Sequence, residues 1–372
     1  MSADLHDVAI IGAGPAGATA AIKLAQKEYR VALVDSESFP RGGSYLAWLN
    51  SRAAEVLSEL GVATRSLLSR RIAGVTFSNA DFSKKATPSF EKSPGYLIDR
   101  VKLDNALAEA ATACGVDLLG GCAAHDLDLR ESSTIVKLSD GRQVESKLLL
   151  LAPGRGSALI ERASFPRISA EAMMWTAQVD ASLETPLKDA KPRVTVVLGL
   201  DKQGSFGLLY ELKDRIGVVI NWAKDRQAAI PALAGLCKTA FTRDVLPMDL
   251  AGEAVRARAA ASPASIALDL ESHVGKHTLL IGDAGGFVSA LSNEGIYPAM
   301  WSARIAVEVA EAALSSVHSQ DALITFDSRW RIEMADYLRS PNTDNQFLLP
   351  LVFSNQPMAD RMGMAFFAGE NI

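Results

Sequence analysis

The stretch Asp7-Val8-Ala9-Ile10-Ile11-Gly12-Ala13-Gly14-Pro15-Ala16-Gly17 decides the fold class. Residues 7 to 12 form an almost continuous apolar run, the pattern of a short parallel strand buried on both faces. Small residues follow at once, and Gly14 to Lys27 has a helical composition that includes Ala18, Ala20, Ala21, Ile22, Leu24 and Ala25. Arg30 to Asp35 then reads as a second strand, so the chain opens with a βαβ unit. Gly12, Gly14 and Gly17 match GxGxxG in the context the motif requires, and Asp35 ends the second strand 23 positions beyond Gly12. Gly12 permits the tight turn, Gly14 lets backbone amides approach a pyrophosphate, and Gly17 allows close packing of strand and helix. The run Gly12, Ala13, Gly14, Pro15, Ala16, Gly17 is therefore a candidate dinucleotide site, with the phosphate charge on the helix N-terminus. Asp35 is expected to accept hydrogen bonds from both hydroxyls of an adenosine ribose, which argues against a 2′-phosphate there.

Outward from this unit comes a turn-rich segment, Ser38 to Ser44, and then a helix expected from about Ser51 to Leu60 and closed by Gly61. The spacing of Val101, Leu103, Ala106, Leu107 and Ala110 predicts a helix over Asp99 to Ala113. Val116 to Leu119, Thr134 to Leu138 and Lys147 to Ala152 read as strands, with Asp140-Gly141 as a hairpin signal. Between about 165 and 260 the texture changes to strand candidates separated by polar or Gly/Pro turns: 173–179, 193–198, 206–212 and 216–222. A mostly antiparallel sheet is predicted there. The parallel type returns at His277 to Asp283, followed by an Ala-rich helix from about Gly295 to Leu314. The last quarter is helical, with a Met/Phe-rich end that reads as core packing more readily than as a cap over an apolar pocket.

The chain has 372 residues, more than the roughly 250 to 300 at which single cores stop growing. Its 48% apolar and 22% charged residues fit a globular enzyme and exclude disorder as the main state. A net charge of −5 gives no support to a nucleic-acid or anionic-membrane partner. Cys114, Cys122 and Cys237 form no CxxC pair, so no disulfide framework or zinc ribbon is indicated, and a reducing, cytoplasmic setting is expected. Met1 to Asp7 lacks the basic start of a signal peptide. No apolar run reaches the ~18 residues a membrane helix requires, so stable membrane insertion is not expected. His273 and His277 flank Gly275 without a metalloprotease glutamate, so they read as a solvated loop and no metal is assigned. There is no GxSxG elbow, hence no anchor for serine hydrolysis.

Three further segments resemble the FAD-dependent family that contains para-hydroxybenzoate hydroxylase-type enzymes, geranylgeranyl reductases and flavin-dependent halogenases. Ser38-Phe39-Pro40-Arg41-Gly42-Gly43-Ser44 is similar to the loop that crosses the flavin edge in reductases and halogenases. Tyr96 to Asp104 resembles the segment whose arginine, Arg100 here, lies near the FAD pyrophosphate, and Ala124 stands where the family offers backbone to the adenine. Gly282 to Met300 is similar to the reductase pattern GDAAGFVNPLTGEGIYYAM. The resemblance implies that Arg41, Gly43 and Ser44 border the cofactor and that Asp283 bonds a ribityl hydroxyl. It also implies that the amides of Gly295 and Ile296 face the pyrimidine edge of the flavin. Tyr45, Trp48 and Tyr297 are candidate substrate-side residues, with core packing as the alternative.

The departures from the family are specific. Ser44 replaces a loop cysteine, Ala290 a proline, and Asn293 a glycine, and Pro153 replaces the Asp of an ADG-like segment, Leu151 to Ser157. The sheet and halogenase tryptophan motifs are not intact. The expected fold is α/β: a Rossmann-like FAD-binding domain of glutathione-reductase type over 1–160 and 265–330, an antiparallel substrate domain over 161–264, and a helical C-terminal cap over 331–372. The resemblance implies an FAD-dependent oxidoreductase, foremost a monooxygenase of an apolar or aromatic substrate working through a flavin C4a-hydroperoxide. The alternatives are a geranylgeranyl-reductase-like saturase of an apolar alkene and a flavoprotein that modifies a partner protein. NADH or NADPH is a candidate reductant, and a separate reductase is the other source of electrons.

Overall fold

The computed structural model describes residues 5–154, 156–166, 173–188, 190–202, 204–223, 225–263, 265–340 and 345–370. Two large sheets carry the architecture. In the first, the parallel strands run in the order Thr278–Leu280, Gln143–Leu151, His6–Ile11, Val31–Val34 and Asp117–Leu119. His6–Ile11 lies in the middle, which is why Val8, Ala9 and Ile10 are fully buried and why its sequence does not alternate. An antiparallel hairpin, Ala124–Leu129 with Thr134–Leu138, extends from Gln143–Leu151.

The helix Pro15–Ala25 starts with a proline in its first turn, where no intrahelical donor is lost. Its alanines share a core with the long helix Ile296–Leu314 and with Arg100–Ala113. Small side chains let these helices approach the sheet and one another closely.

The second sheet is ordered Ala260–Pro263, Met173–Ser182, Arg215–Ala223, Phe206–Glu211, Arg193–Leu198, Gly74–Asn79 and Lys85–Ala86. It is antiparallel except where Arg193–Leu198 pairs in parallel with Gly74–Asn79, so two of its strands come from before residue 161. The helix Arg226–Thr242 breaks the run of strands expected from the sequence. It spans Pro231 and buries Ala229, Leu233, Leu236, Cys237 and Ala240 against one face of that sheet. On the other face lie the helices Asn345–Ser354 and Gln356–Ala368, with Phe366 and Phe367 packed on Phe206 and Trp48. Leu348, Val352, Met362, Phe366 and Phe367 of the Met/Phe-rich end are core packing, whereas Phe347 and Leu351 are exposed.

A two-stranded ribbon, Leu46–Asn50 with Gly95–Asp99, joins the two bodies. Its side chains alternate between them: Leu46, Trp48 and Leu97 enter the core of the second sheet, while Leu49 and Ile98 enter that of the first. One period-2 pattern thus fixes how the sheets face each other. His273 departs from the solvated loop expected of it. It is fully buried against Phe287 and Trp330, and its Nε2 lies 2.7 Å from the Gly285 carbonyl. Aspartate 327 sits 3.5 Å from Nδ1, and the bonds it accepts hold its carboxyl well below the usual range. No helix among the described residues is long and apolar enough to cross a membrane.

Candidate functional site

Three parallel strands of the first sheet end in turns at one cleft of about 270 Å³. Gly14, Pro15 and Ala16 follow His6–Ile11, Ala152 and Gly154 follow Gln143–Leu151, and Gly282 and Asp283 follow Thr278–Leu280. Binding at the carboxyl ends of parallel strands is the general rule for open α/β sheets. The ribbon supplies Tyr45, Leu46, Ala47 and Trp48 to the cleft. The second sheet closes it with Thr176, Gln178, Leu208, Tyr210, Val219 and Asn221.

The glycines of the first turn divide their work as their spacing suggests. Gly12 has φ +101°, and a Cβ there would stand 2.0 Å from the Ala152 carbonyl oxygen. At Gly17 a Cβ would meet the Gly12 carbonyl oxygen at 1.8 Å, whereas at Gly14 it would meet nothing within 4 Å. Gly12 and Gly17 are consumed by internal packing, and Gly14 leaves open space at the start of a helix whose N-cap has no side-chain partner. That space suits a pyrophosphate approached by backbone amides.

Asp35 lies beside this turn, buried, and is already engaged. Its Oδ2 accepts from the Ala13 amide at 2.7 Å and from Arg41 Nη2 at 2.8 Å, and its Oδ1 from the Glu37 amide at 2.8 Å. With about four acceptor sites on a carboxylate, taking both ribose hydroxyls would require one of these bonds to open. Arg41 reaches on to Asp104 at 2.7 Å, and Asp104 accepts from Arg100 Nε at 3.1 Å. A charge chain therefore runs from the end of the second strand to Arg100, which lines the cleft.

Asp283 and the amide-bearing turn at Gly295 and Ile296 lie in the same cleft, where a Cβ on Gly295 would come 3.0 Å from Asp283 Oδ1. Tyr45 and Trp48 also line it. Asp35 and Arg41 stand behind the lining, and Gly43, Ser44, Ala124 and Tyr297 lie elsewhere. Gly43 and Ser44 border a separate cavity of about 420 Å³ with Arg70, Lys102 and Arg215, and Ser44 donates to Asp99 while accepting from Arg215. Ala124 begins a strand away from the cleft, although Cys122, two residues earlier, donates its amide to the Asp35 carbonyl. Tyr297 is buried between Trp301 and Tyr337. Of the ADG-like segment, Pro153 is described and Arg155 lies outside the described residues.

Glu294 carries a role that the sequence reading did not assign. It lines the cleft at 4% exposure, accepts from the Tyr297 amide at 2.8 Å and bonds the Tyr337 hydroxyl at 2.8 Å. Burial pushes its carboxyl up to about 7, against the lowering effect of those bonds. The bonded amide is in the first turn of Ile296–Leu314, so the side chain caps the helix that aims at the cleft. Asn50 donates to the Tyr337 hydroxyl at 3.1 Å, and nothing local in the sequence links positions 50, 294 and 337.

The family described as FAD binding domain matches residues 6–301. Digeranylgeranylglycerophospholipid reductase of Methanocaldococcus jannaschii is 24% identical over 91% of this chain and 85% of its own length. Menaquinone reductase of Mycobacterium tuberculosis is 27% identical over 83% of this chain and 77% of its own. A geranylgeranyl bacteriochlorophyll reductase-like protein from Thermoplasma acidophilum superposes with a TM-score of 0.75 at 16% identity, covering 99% of this chain and 97% of that one. The chain belongs to the FAD binding domain family and is an FAD-dependent oxidoreductase.

Proposed function

We propose, with membership of the FAD binding domain family as the premise, that this oxidoreductase is a monooxygenase acting on an apolar or aromatic substrate held between the flavin and the second sheet. FAD, when bound, supplies the redox and oxygen chemistry. The residues that would hold it fit that group. The open space at Gly14, the unpartnered helix start behind it, Arg100, Asp283 and the turn at Gly295 and Ile296 all border one cleft. Their work is to bind and orient, and the helix start at Gly295 and Ile296 would stabilise negative charge that develops on a cofactor bound beside it. Leu46, Trp48, Leu208, Val219 and Val288 give the cleft apolar walls that exclude water.

One observation favours oxygen transfer over saturation of a double bond. In the place of the reductase loop thiol stands Ser44, whose hydroxyl is tied to Asp99 and Arg215 at the neighbouring cavity. Saturation needs a proton delivered to the substrate; Ser44 is not among the residues lining the cleft, and Glu294, the protonatable carboxyl that is, has its oxygens engaged by the Tyr297 amide and the Tyr337 hydroxyl. The second reading, an alkene saturase, draws support from the names of the two relatives, both reductases.

The test is the visible spectrum of the purified flavoprotein before and after anaerobic NADH or NADPH, followed by oxygen uptake. Bleaching of bands near ~450 nm with oxygen consumed in step with product supports the monooxygenase. Bleaching with substrate reduced and no oxygen required supports the saturase. Bands that persist with both nucleotides point to a separate reductase or a protein substrate.

A further inference from the structure

The wall of the cleft opposite Gly14 carries a small polar cluster that no step so far uses. Thr176 and Asn221 face each other across adjacent strands of the second sheet, and the Thr176 hydroxyl donates to Asn221 Oδ1 at 2.9 Å. The same oxygen accepts from Asn293 Nδ2 at 2.8 Å, so the loop before Ile296–Leu314 is bonded directly to the sheet. Asn293 has φ +51°, a left-handed backbone that glycine adopts most readily and asparagine tolerates. A side chain at that position is therefore not required by the turn, and the one present reaches across the cleft.

The cluster is incomplete. Asn293 Oδ1 is buried and has no hydrogen-bond partner among the described residues. Exchanging oxygen and nitrogen in both amides preserves the two bonds and leaves the Asn293 NH2 unmatched instead, so one unpaired polar atom remains in either orientation. An unmatched buried polar atom is destabilising, and a ligand group that reaches it by a small shift of the Asn293 side chain recovers that loss. Gln178 offers that ligand only its carbonyl oxygen, since its amide nitrogen is spent on the Leu46 carbonyl and Asp180.

Charge narrows the ligand further. Among the described lining residues the ionisable cations and carboxylates are Arg100, Asp283 and Glu294, all supplied by the first body and its loops. The sheet side offers Thr176, Gln178, Tyr210 and Asn221, none of them charged at neutral pH. A substrate carboxylate or phosphate there would be desolvated without a cation.

We infer that Asn293 and Asn221, with Thr176, are specificity-determining residues that select an uncharged substrate carrying a hydroxyl or carbonyl and exclude its carboxylate counterpart. The inference rests on the reading that substrate binds between the sheet and the flavin. It is tested on the FAD-loaded protein at pH 7 with 2-naphthol, naphthalene and 2-naphthoate, which share one ring system, following the perturbation of the visible flavin band. The expected result is about tenfold tighter binding of 2-naphthol than of either other probe. Asn293→Gly, which keeps the turn, and Asn221→Ala should each cut that advantage to about twofold while leaving naphthalene affinity and flavin content unchanged. Equal binding of 2-naphthol and naphthalene, tightest binding of 2-naphthoate, or an advantage that survives both substitutions overturns the inference and leaves the placement of the substrate intact. If none of the three probes perturbs the flavin, the substrate placement itself falls and the inference with it.

Discussion

The carboxyl of Glu294 and the phenol of Tyr337 share a 2.8 Å hydrogen bond at a site where neither side chain is more than 5% exposed. The bond ties the start of Ile296–Leu314, which faces the cleft, to the end of Ser319–Leu338. The titration of one side chain is thereby coupled to how two helices meet.

That coupling predicts a pH dependence of stability. Burial raises the Glu294 carboxyl from 4.5 to about 7, so between those values the folded protein holds a proton that the unfolded chain has lost. Stability from this group is therefore highest below pH 4.5 and falls as pH rises through 7, by about 3 kcal/mol at most. Glu294→Gln keeps an acceptor for the Tyr297 amide and removes the titration. Its unfolding temperature should exceed that of the parent by a few degrees at pH 8 and by much less at pH 5. A constant difference across that range would remove Glu294 as the source.

The three glycines of the first turn should respond differently to alanine. Gly12→Ala and Gly17→Ala place a Cβ about 2 Å from a carbonyl oxygen, so each should cost roughly 3 kcal/mol or more and lower the unfolding temperature of the apoprotein. Gly14→Ala meets no protein atom and should unfold within about 1 kcal/mol of the parent. Its flavin retention on gel filtration should nevertheless fall about tenfold or more, because the methyl group occupies the space expected of the pyrophosphate.

Arg41 bridges Asp35 and Asp104 with most of its side chain out of water. Arg41→Met leaves Asp35 buried with backbone donors alone, and the loss of a buried partner should cost about 3 kcal/mol in urea unfolding. Arg41→Lys should recover only part of this, since one ammonium cannot reproduce the two-ended bridge. Full recovery with lysine would show that charge alone, without the fork geometry, holds this chain.

Asp283→Ala should weaken FAD retention while leaving the apoprotein folded, as read from flavin content per polypeptide and circular dichroism. Unchanged flavin content would count against the placement of the ribityl chain at Asp283.

The division between sequence and tertiary structure is sharp at particular residues. The apolar run ending at Ile11, the glycine spacing and the acid at Asp35 are consequences of local backbone geometry, and the structure puts strand, turn, helix and strand where they were expected. The helix starting near Gly295 was legible for the same reason. The helix Arg226–Thr242 was not, because Pro231 and Gly235 inside it offset the helix preference of its alanines, and its state is set by the sheet it covers. His273 looked like a loop residue until Phe287 and Trp330 closed over it.

By itself, then, the sequence determined the nucleotide-binding unit and the cofactor class through its resemblances, and it nominated Arg100, Asp283 and the Gly295 turn, which the structure brings to one cleft. Only the tertiary structure decided that Ser44 and Tyr297 stand outside the cleft, that Asp35 is already bonded, and that residues 50, 294 and 337 form one network. It also decided that Asn293 meets Asn221, 72 positions away. Periodicity and turn chemistry act over a few neighbours and can be read along the chain, whereas hydrogen bonds and burial between distant segments exist only once both cores have packed on the shared ribbon Leu46–Asn50 and Gly95–Asp99.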